Sequence, residues 1–148
     1  MTMPDSHILA NTESFLLLPP QEITSDGTTI NGPTVNPYAS YVLEELTVDL
    51  VVGALSGTVD SLVAILQDAA TDTAADYNEA DSGNAGATLT VNSPSANSGP
   101  HRFRVLGFQD WIRLNLTING SGTPGAFVAA IAYGPQKSTD QVPRRPIP

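Results

Sequence analysis

The sequence predicts an all-β fold, an antiparallel β-sandwich or jelly-roll-like domain, and three observations carry that prediction. Apolar and polar residues alternate over runs of seven or eight positions, stretches of Gly, Pro, Asn and Ser separate those runs, and proline recurs too often for long helices. The chain has 148 residues, with 12 Gly and 12 Pro, which is the length of about one domain. A compact chain of that size buries roughly 70% of its unfolded surface, enough for a core without covalent or metal staples.

Residues 1–37 hold Pro4, Pro19, Pro20, Pro33 and Pro37 around two apolar patches. Proline on that spacing forbids helix and interrupts ladders, so the segment reads as an extended proline-rich N-terminal arm with at most an edge strand near Glu13 to Leu18. Its apolar members, Ile8, Leu9, Phe15, Leu16, Leu17 and Leu18, are candidate interaction residues. They must pack on their own domain or dock on a neighbour.

The β-sandwich domain is expected over residues 38–134. In Leu46 to Val52 the residues Leu46, Val48, Leu50 and Val52 share one face, with Thr47 and Asp49 on the other. Gly53 to Gly57 reads as a turn, and Ser61 to Gln67 as the next strand. Val59, Leu62, Val63, Leu66 and Ala70 also fit helical spacing, so residues 59–70 admit both readings; β-branched Val63 and Ile65 favour the strand. Asp68 to Ala87 is polar and reads as a long loop around at most a short strand near Ala75 to Asn78.

Strands follow at Ala87 to Val91, Arg102 to Leu106 and Trp111 to Ile118, the last alternating cleanly. Asn119 to Gly125 reads as a hairpin loop, and Ala126 to Tyr133 as the closing strand. Its alanines imply close approach to another surface. Residues 135–148 form a polar, proline-bounded C-terminal tail whose Lys137, Arg144 and Arg145 are the remaining candidate interaction residues.

Charge narrows the partners. Asp plus Glu number 15 against 6 Lys plus Arg, a net of −9, and every Lys and Arg lies at or beyond Arg102. A chain so acidic over two thirds of its length repels nucleic acid and bare anionic membranes. Phe15 to Leu18 is far too short to span a bilayer, and no Lys or Arg precedes it as a signal peptide requires, so the product is expected to stay in the cytosol until it assembles with something. The absence of cysteine excludes disulfides, thiolate metal sites and cysteine nucleophiles.

The inventory for catalysis is thin. His7 and His101 are the only histidines, and no G-x-S-x-G elbow accompanies them. Gly120 and Gly125 have the spacing of a phosphate loop, but Ala126 and Phe127 stand where Lys and Ser or Thr are required. Adjacent Glu44 and Glu45 point to opposite faces of a strand and cannot pair as acid and base. Asp68, Asp72, Asp76, Asn78, Glu79 and Asp81 form an oxygen-rich loop that a calcium ion would favour, but the order departs from the EF-hand pattern. Phe103, Trp111, Phe127 and Tyr133 are candidates for a sugar-stacking platform or, more simply, for packing. No catalytic, cofactor-binding or metal residue is assigned, and a non-enzymatic protein is expected.

The run His101-Arg102-Phe103-Arg104-Val105, then Trp111 to Gly120, then Thr123 to Phe127, resembles the C-terminal half of small β-sandwich virion proteins of tailed bacteriophages. The resemblance spans residues 42–134, though the loop after Asp68 lacks the Ser-x-Asp-Gly turn of that pattern. It implies a head decoration, or cement, protein on the capsid exterior, with the major capsid protein and further copies of itself, commonly a homotrimer, as partners. Arms and tail would then clamp neighbours. A carbohydrate-binding or adhesin module using Trp111, and a tail or head-fibre component, are the alternatives.

Overall fold

The computed structural model describes residues 12–37, 45–80, 87–96 and 100–135. Among the described residues seven strands follow one another: β1 (Thr12–Thr24), β2 (Thr29–Asn31), β3 (Leu46–Ala69), β4 (Asn78–Glu79), β5 (Thr88–Asn92), β6 (Pro100–Val105) and β7 (Trp111–Pro135), with a short 3-10 turn at Ala74–Asp76. Two of these set the architecture. β3 and β7 pair antiparallel from Thr47↔Tyr133 to Ala69↔Trp111, and the ribbon they form bends in its middle.

The bend is written in glycine. Register shifts fall between Val52 and Leu55, between Ser56 and Thr58, and between Val59 and Ser61. Gly57, Gly122 and Thr123 adopt left-handed backbone, at φ of 60°, 62° and 56°. A Cβ on Gly57 would lie 2.5 Å from the carbonyl oxygens of Gly122 and Thr123, and one on Gly120 would lie 2.0 Å from that of Thr58. Only glycine lets the two backbones approach that closely. Residue insertions on one strand are balanced on the other, so even-numbered residues face inward on both sides of the bend.

Folding the ribbon over creates two layers. In the first, β1 pairs with the second half of β7, which pairs with the first half of β3, which pairs with β6. In the second, β2 pairs with the first half of β7, which pairs with the second half of β3, which pairs with β5 and, at its end, β4. Eight antiparallel strand segments in two four-stranded layers, with the two-residue β4 extending the β5 edge, make a jelly roll. Leu46, Val48 and Leu50 from one layer and Leu62, Leu66, Leu114 and Leu116 from the other are fully buried in one hydrophobic cluster.

The strand reading of Val59 to Gln67 agrees with the structure, because these residues lie within β3. Two turns are corrected. Gly53 to Gly57 and Asn119 to Gly125 do not end strands; they lie opposite each other, with Leu55↔Ala126, Ser56↔Gly125 and Thr58↔Ser121 paired, so each continues the ladder through the bend. From Thr12 onward the segment expected as an arm is part of the sandwich instead: β1 pairs with β7, and Val35 bridges to Ile112. Leu17 and Leu18 are both fully buried, because a bulge after Leu16 breaks the alternation. Pro19 and Pro20 occupy the next irregularity, where an edge strand tolerates a missing N–H.

Candidate assembly face

The inner faces of both layers are spent on the core, so function must come from the outer faces, the loops or the edges. The outer face of the first layer can be mapped row by row from its register. Ser14, Tyr133, Thr47 and Arg104 stand side by side across β1, β7, β3 and β6; Leu16, Ile131, Asp49 and Arg102 form the next row. Ala129, Val51 and Pro100 make the third, and Glu22 beside Phe127 the fourth. Gly53 lies next to Phe127, where an added Cβ would sit 3.6 Å from the phenylalanine Cβ.

Four large apolar side chains of this face reach solvent: Leu16 at 52% exposure, Phe127 at 47%, Val51 at 43% and Ile131 at 41%. Neighbouring exposed apolar residues on one rigid sheet are the signature of a contact surface, whereas scattered ones are ordinary. Beside them the polar groups are tied down. Arg102 donates to both oxygens of Asp49, Nε to Oδ1 at 2.7 Å and Nη2 to Oδ2 at 3.1 Å, with its guanidinium 5.8 Å from the Tyr133 ring centroid. Arg104 pairs with Glu45 through a single contact, Nη2 to Oε2. The Arg102 hydrogen bond, more than its charge, holds the Asp49 carboxyl below the usual carboxylate range despite burial. Desolvation, reinforced by the Asp49 charge, pushes the Tyr133 phenol up.

The outer face of the second layer is a different surface. Thr29 and Thr117 hydroxyls are 2.7 Å apart, and Asn115 Nδ2 donates to Asn31 Oδ1 at 2.8 Å. Arg113 Nε donates to Gln67 Oε1 at 2.8 Å and Asn119 Nδ2 to Ser61 Oγ at 3.1 Å. The Arg113 guanidinium stacks 4.3 Å from the Tyr77 ring centroid. Val63 and Ile65 are half-buried between these groups. The side chains satisfy one another sideways and present a polar lattice.

The acidic loop is scaffolding. Asp68 accepts from the Gln109 backbone N–H at 2.8 Å and Asp76 from Thr71 at 3.0 Å. Asp72 accepts from Tyr77 at 2.8 Å and Thr34 at 3.2 Å, while Glu79 accepts from the Ala87 N–H at 3.0 Å and from Thr88. Each of these four carboxylates faces its own partners, Asp81 lies outside the described residues, and no group of three suitable ligands converges among the described residues. Desolvation, followed by the hydrogen bond and charge of Asp72, pushes the Tyr77 phenol up to about 12.

Of the sequence-derived interaction residues that the structure describes, Leu16 alone stands exposed on the face; Phe15 is partly buried against the core, and Leu17 and Leu18 belong to the core. Ile8, Leu9, Lys137, Arg144 and Arg145 lie outside the described residues. The four candidate aromatics do not form one platform. Phe103 packs against the core, Trp111 opens β7 in the second layer, and Tyr133 and Phe127 stand at opposite ends of the first layer's outer face. Sequence reasoning missed Val51 and Ile131 and took Phe127 only as a stacking or packing candidate. For Phe127 and Ile131 the signal was present in Ala126 to Tyr133, a strand apolar on both faces although only one of them can meet the core.

No protein-family model matches the chain, and no curated protein matches it. Solved viral capsid proteins share its all-β fold. The VP2 subviral particle of infectious bursal disease virus superposes over 84% of this chain with a TM-score of 0.53 at 14% identity. The structure of the Gx strain of the same virus covers 82% at a TM-score of 0.52, also at 14% identity. In both cases the chain spans 32% of the solved protein's length. At that identity the likeness concerns the fold.

Proposed function

We propose that this protein is a structural component of a virus particle and that it works by packing rather than by chemistry. The observation that carries the reading is the apolar outer face of the first layer, set on a jelly roll shared with viral capsid proteins. A two-layer sandwich whose two long strands stay paired on both sides of the bend suits a building block that must present one surface in one geometry. In its specific form the protein decorates the exterior of a tailed-phage capsid. It binds the major capsid protein lattice as a homotrimer and stabilises that lattice as a cement, where repetition over many sites converts modest contacts into tight holding.

Two measurements test this. The protein should co-sediment with assembled capsids, and capsids carrying it should survive heating that opens bare ones. Absence of both effects contradicts the reading. One observation favours a second form: because the chain matches only 32% of VP2, it equally suits a domain of a capsid protein itself. Under that form the chain, concentrated alone, assembles into closed particles in electron micrographs and ignores preformed shells. A glycan-binding role predicts signal on a glycan array that Trp111→Ala abolishes.

A further inference from the structure

We propose that the Asn119-Gly120 step at the bend is a latent site of spontaneous deamidation, and that the Asp26 carboxylate is the lock that keeps it closed. The chemistry needs no enzyme. The backbone nitrogen of the residue after an asparagine loses its proton and attacks the side-chain Cγ; a C–N bond closes a five-membered imide while the Cγ–Nδ2 bond breaks and ammonia leaves. Water then opens the ring at either carbonyl, giving aspartate or isoaspartate. Glycine in the following position favours the attack, because it has no Cβ to crowd it and has the backbone freedom that ring closure demands.

Three dipeptides of this kind stand in the sequence: Asn31-Gly32, Asn119-Gly120 and Asp26-Gly27, the last reacting by the same route with loss of water. In each the glycine N–H is held. Gly27 donates to the Ile118 carbonyl and Gly32 to the Leu114 carbonyl, both at 2.8 Å. Gly120 differs, because its N–H donates to Asp26 Oδ1 at 2.9 Å. Two of the three nucleophiles are therefore held by backbone, and the third by one side chain on an exposed turn. Asn119 is tied sideways as well, with Nδ2 donating to Ser61 Oγ at 3.1 Å. While both bonds stand, the strand stays extended and the Asn119 amide is turned toward β3, away from the nitrogen that would attack it.

Position makes the site consequential. Asn119 pairs with Ser61 and Gly120 with Val59, on the two sides of a register shift in the bend. Isoaspartate routes the backbone through the side chain and adds a methylene there, at a point so close that a Cβ on Gly120 would already collide with the Thr58 carbonyl oxygen. Either product also sets a new carboxylate beside the Gly120–Asp26 bond, where two like charges repel. Ammonia is lost, so the change runs one way. A copy whose Ser25–Thr28 turn has opened is marked and weakened at its corner.

Peptide mapping by mass spectrometry, on the full chain held at mildly alkaline pH and sampled over time, is the test, with Asn31 as the internal control. In the folded wild type both asparagines should persist, and both should convert once the chain is unfolded in urea. Asp26→Ala should speed conversion at Asn119 by about tenfold, the factor that one hydrogen bond to a charged group supplies, while Asn31 in the same molecules stays intact. Ser61→Ala, which frees the Asn119 amide and leaves the turn alone, should also speed Asn119 selectively. Leu50→Ala loosens the common core and should raise both sites together. An isoaspartate-specific methyltransferase assay should follow the Asn119 signal, and the modified chains should unfold at lower urea than unmodified ones. The proposal is overturned if wild-type Asn119 converts as fast folded as unfolded, or if Asn31 keeps pace with Asn119 in both the Asp26 and Ser61 variants. It is overturned too if Asp26→Ala leaves the Asn119 rate unchanged or slows it, since a slower rate would mean that Asp26 draws the proton off Gly120 and promotes the reaction.

Discussion

The two outer faces of this jelly roll are built largely from the same two strands, yet they end as opposite surfaces. On the second layer, β7 contributes Arg113, Asn115, Thr117 and Asn119, and each finds a partner on β2 or β3. On the first, the same strand past its bend contributes Phe127, Ala129, Ile131 and Tyr133, beside Val51 of β3 and Leu16 of β1. Both stretches serve the core equally well through their inward residues. The difference lies only in the positions that folding leaves free, and those are the positions that function can shape.

The largest effects should come where the two layers depend on each other. Leu50→Ala in the first layer and Leu114→Ala in the second both open the common core, and each should lower unfolding free energy by about 2–5 kcal/mol in urea melts. Gly120→Ala should be at least as damaging, because its Cβ would collide with the Thr58 carbonyl at the bend and backbone cannot yield as a side chain can. If Gly120→Ala folds with an unchanged melting temperature, the continuous-ribbon description is wrong.

Two pH experiments then read the faces separately. The Asp49 carboxyl is held low by Arg102 in the folded state, so its contribution is present above the ordinary carboxylate pKa and is lost as pH falls through the folded value. Urea midpoints should decline more steeply in acid for the wild type than for Asp49→Asn. Tyr77 shows the reverse sense. Its phenol is raised from 10.0 to about 12, so its stabilisation is full below pH 10 and disappears as pH climbs through about 12. Tyr77→Phe should flatten that alkaline limb at the second layer.

The smallest expected effects are on the free monomer. Ile131→Lys and Thr117→Lys replace outward side chains, so each should move monomer stability by no more than about 0.5 kcal/mol. Their consequences should diverge only when a partner is present, and a calorimetric scan alongside capsid co-sedimentation checks both halves of that statement.

The sequence showed most of the strands and little of how they meet. Alternation located Leu46 to Val52 and Trp111 to Ile118 because one side of each strand is buried and the other is wet. The same logic failed at Leu17 and Leu18, where a bulge buries successive residues and makes core look like a sticky arm. It failed again at Gly53 to Gly57 and at Asn119 to Gly125. Each is a fair turn in isolation, and only their mutual pairing across the bend turns them into a corner of one ribbon. The exposed apolar face was hidden for a related reason. Leu16, Val51, Ile131 and Phe127 lie on three strands far apart in the chain, and cross-strand register, not local spacing, puts them together.

Hydroxyl-radical footprinting of side chains, with the protein free and then bound in assembled particles, tests the central claim most directly. The account predicts that Leu16, Phe127 and Ile131 react in the free chain and are protected on assembly, while Val63 and Ile65 on the second layer keep their reactivity. Protection confined to the second layer, or none at the three residues, would contradict it.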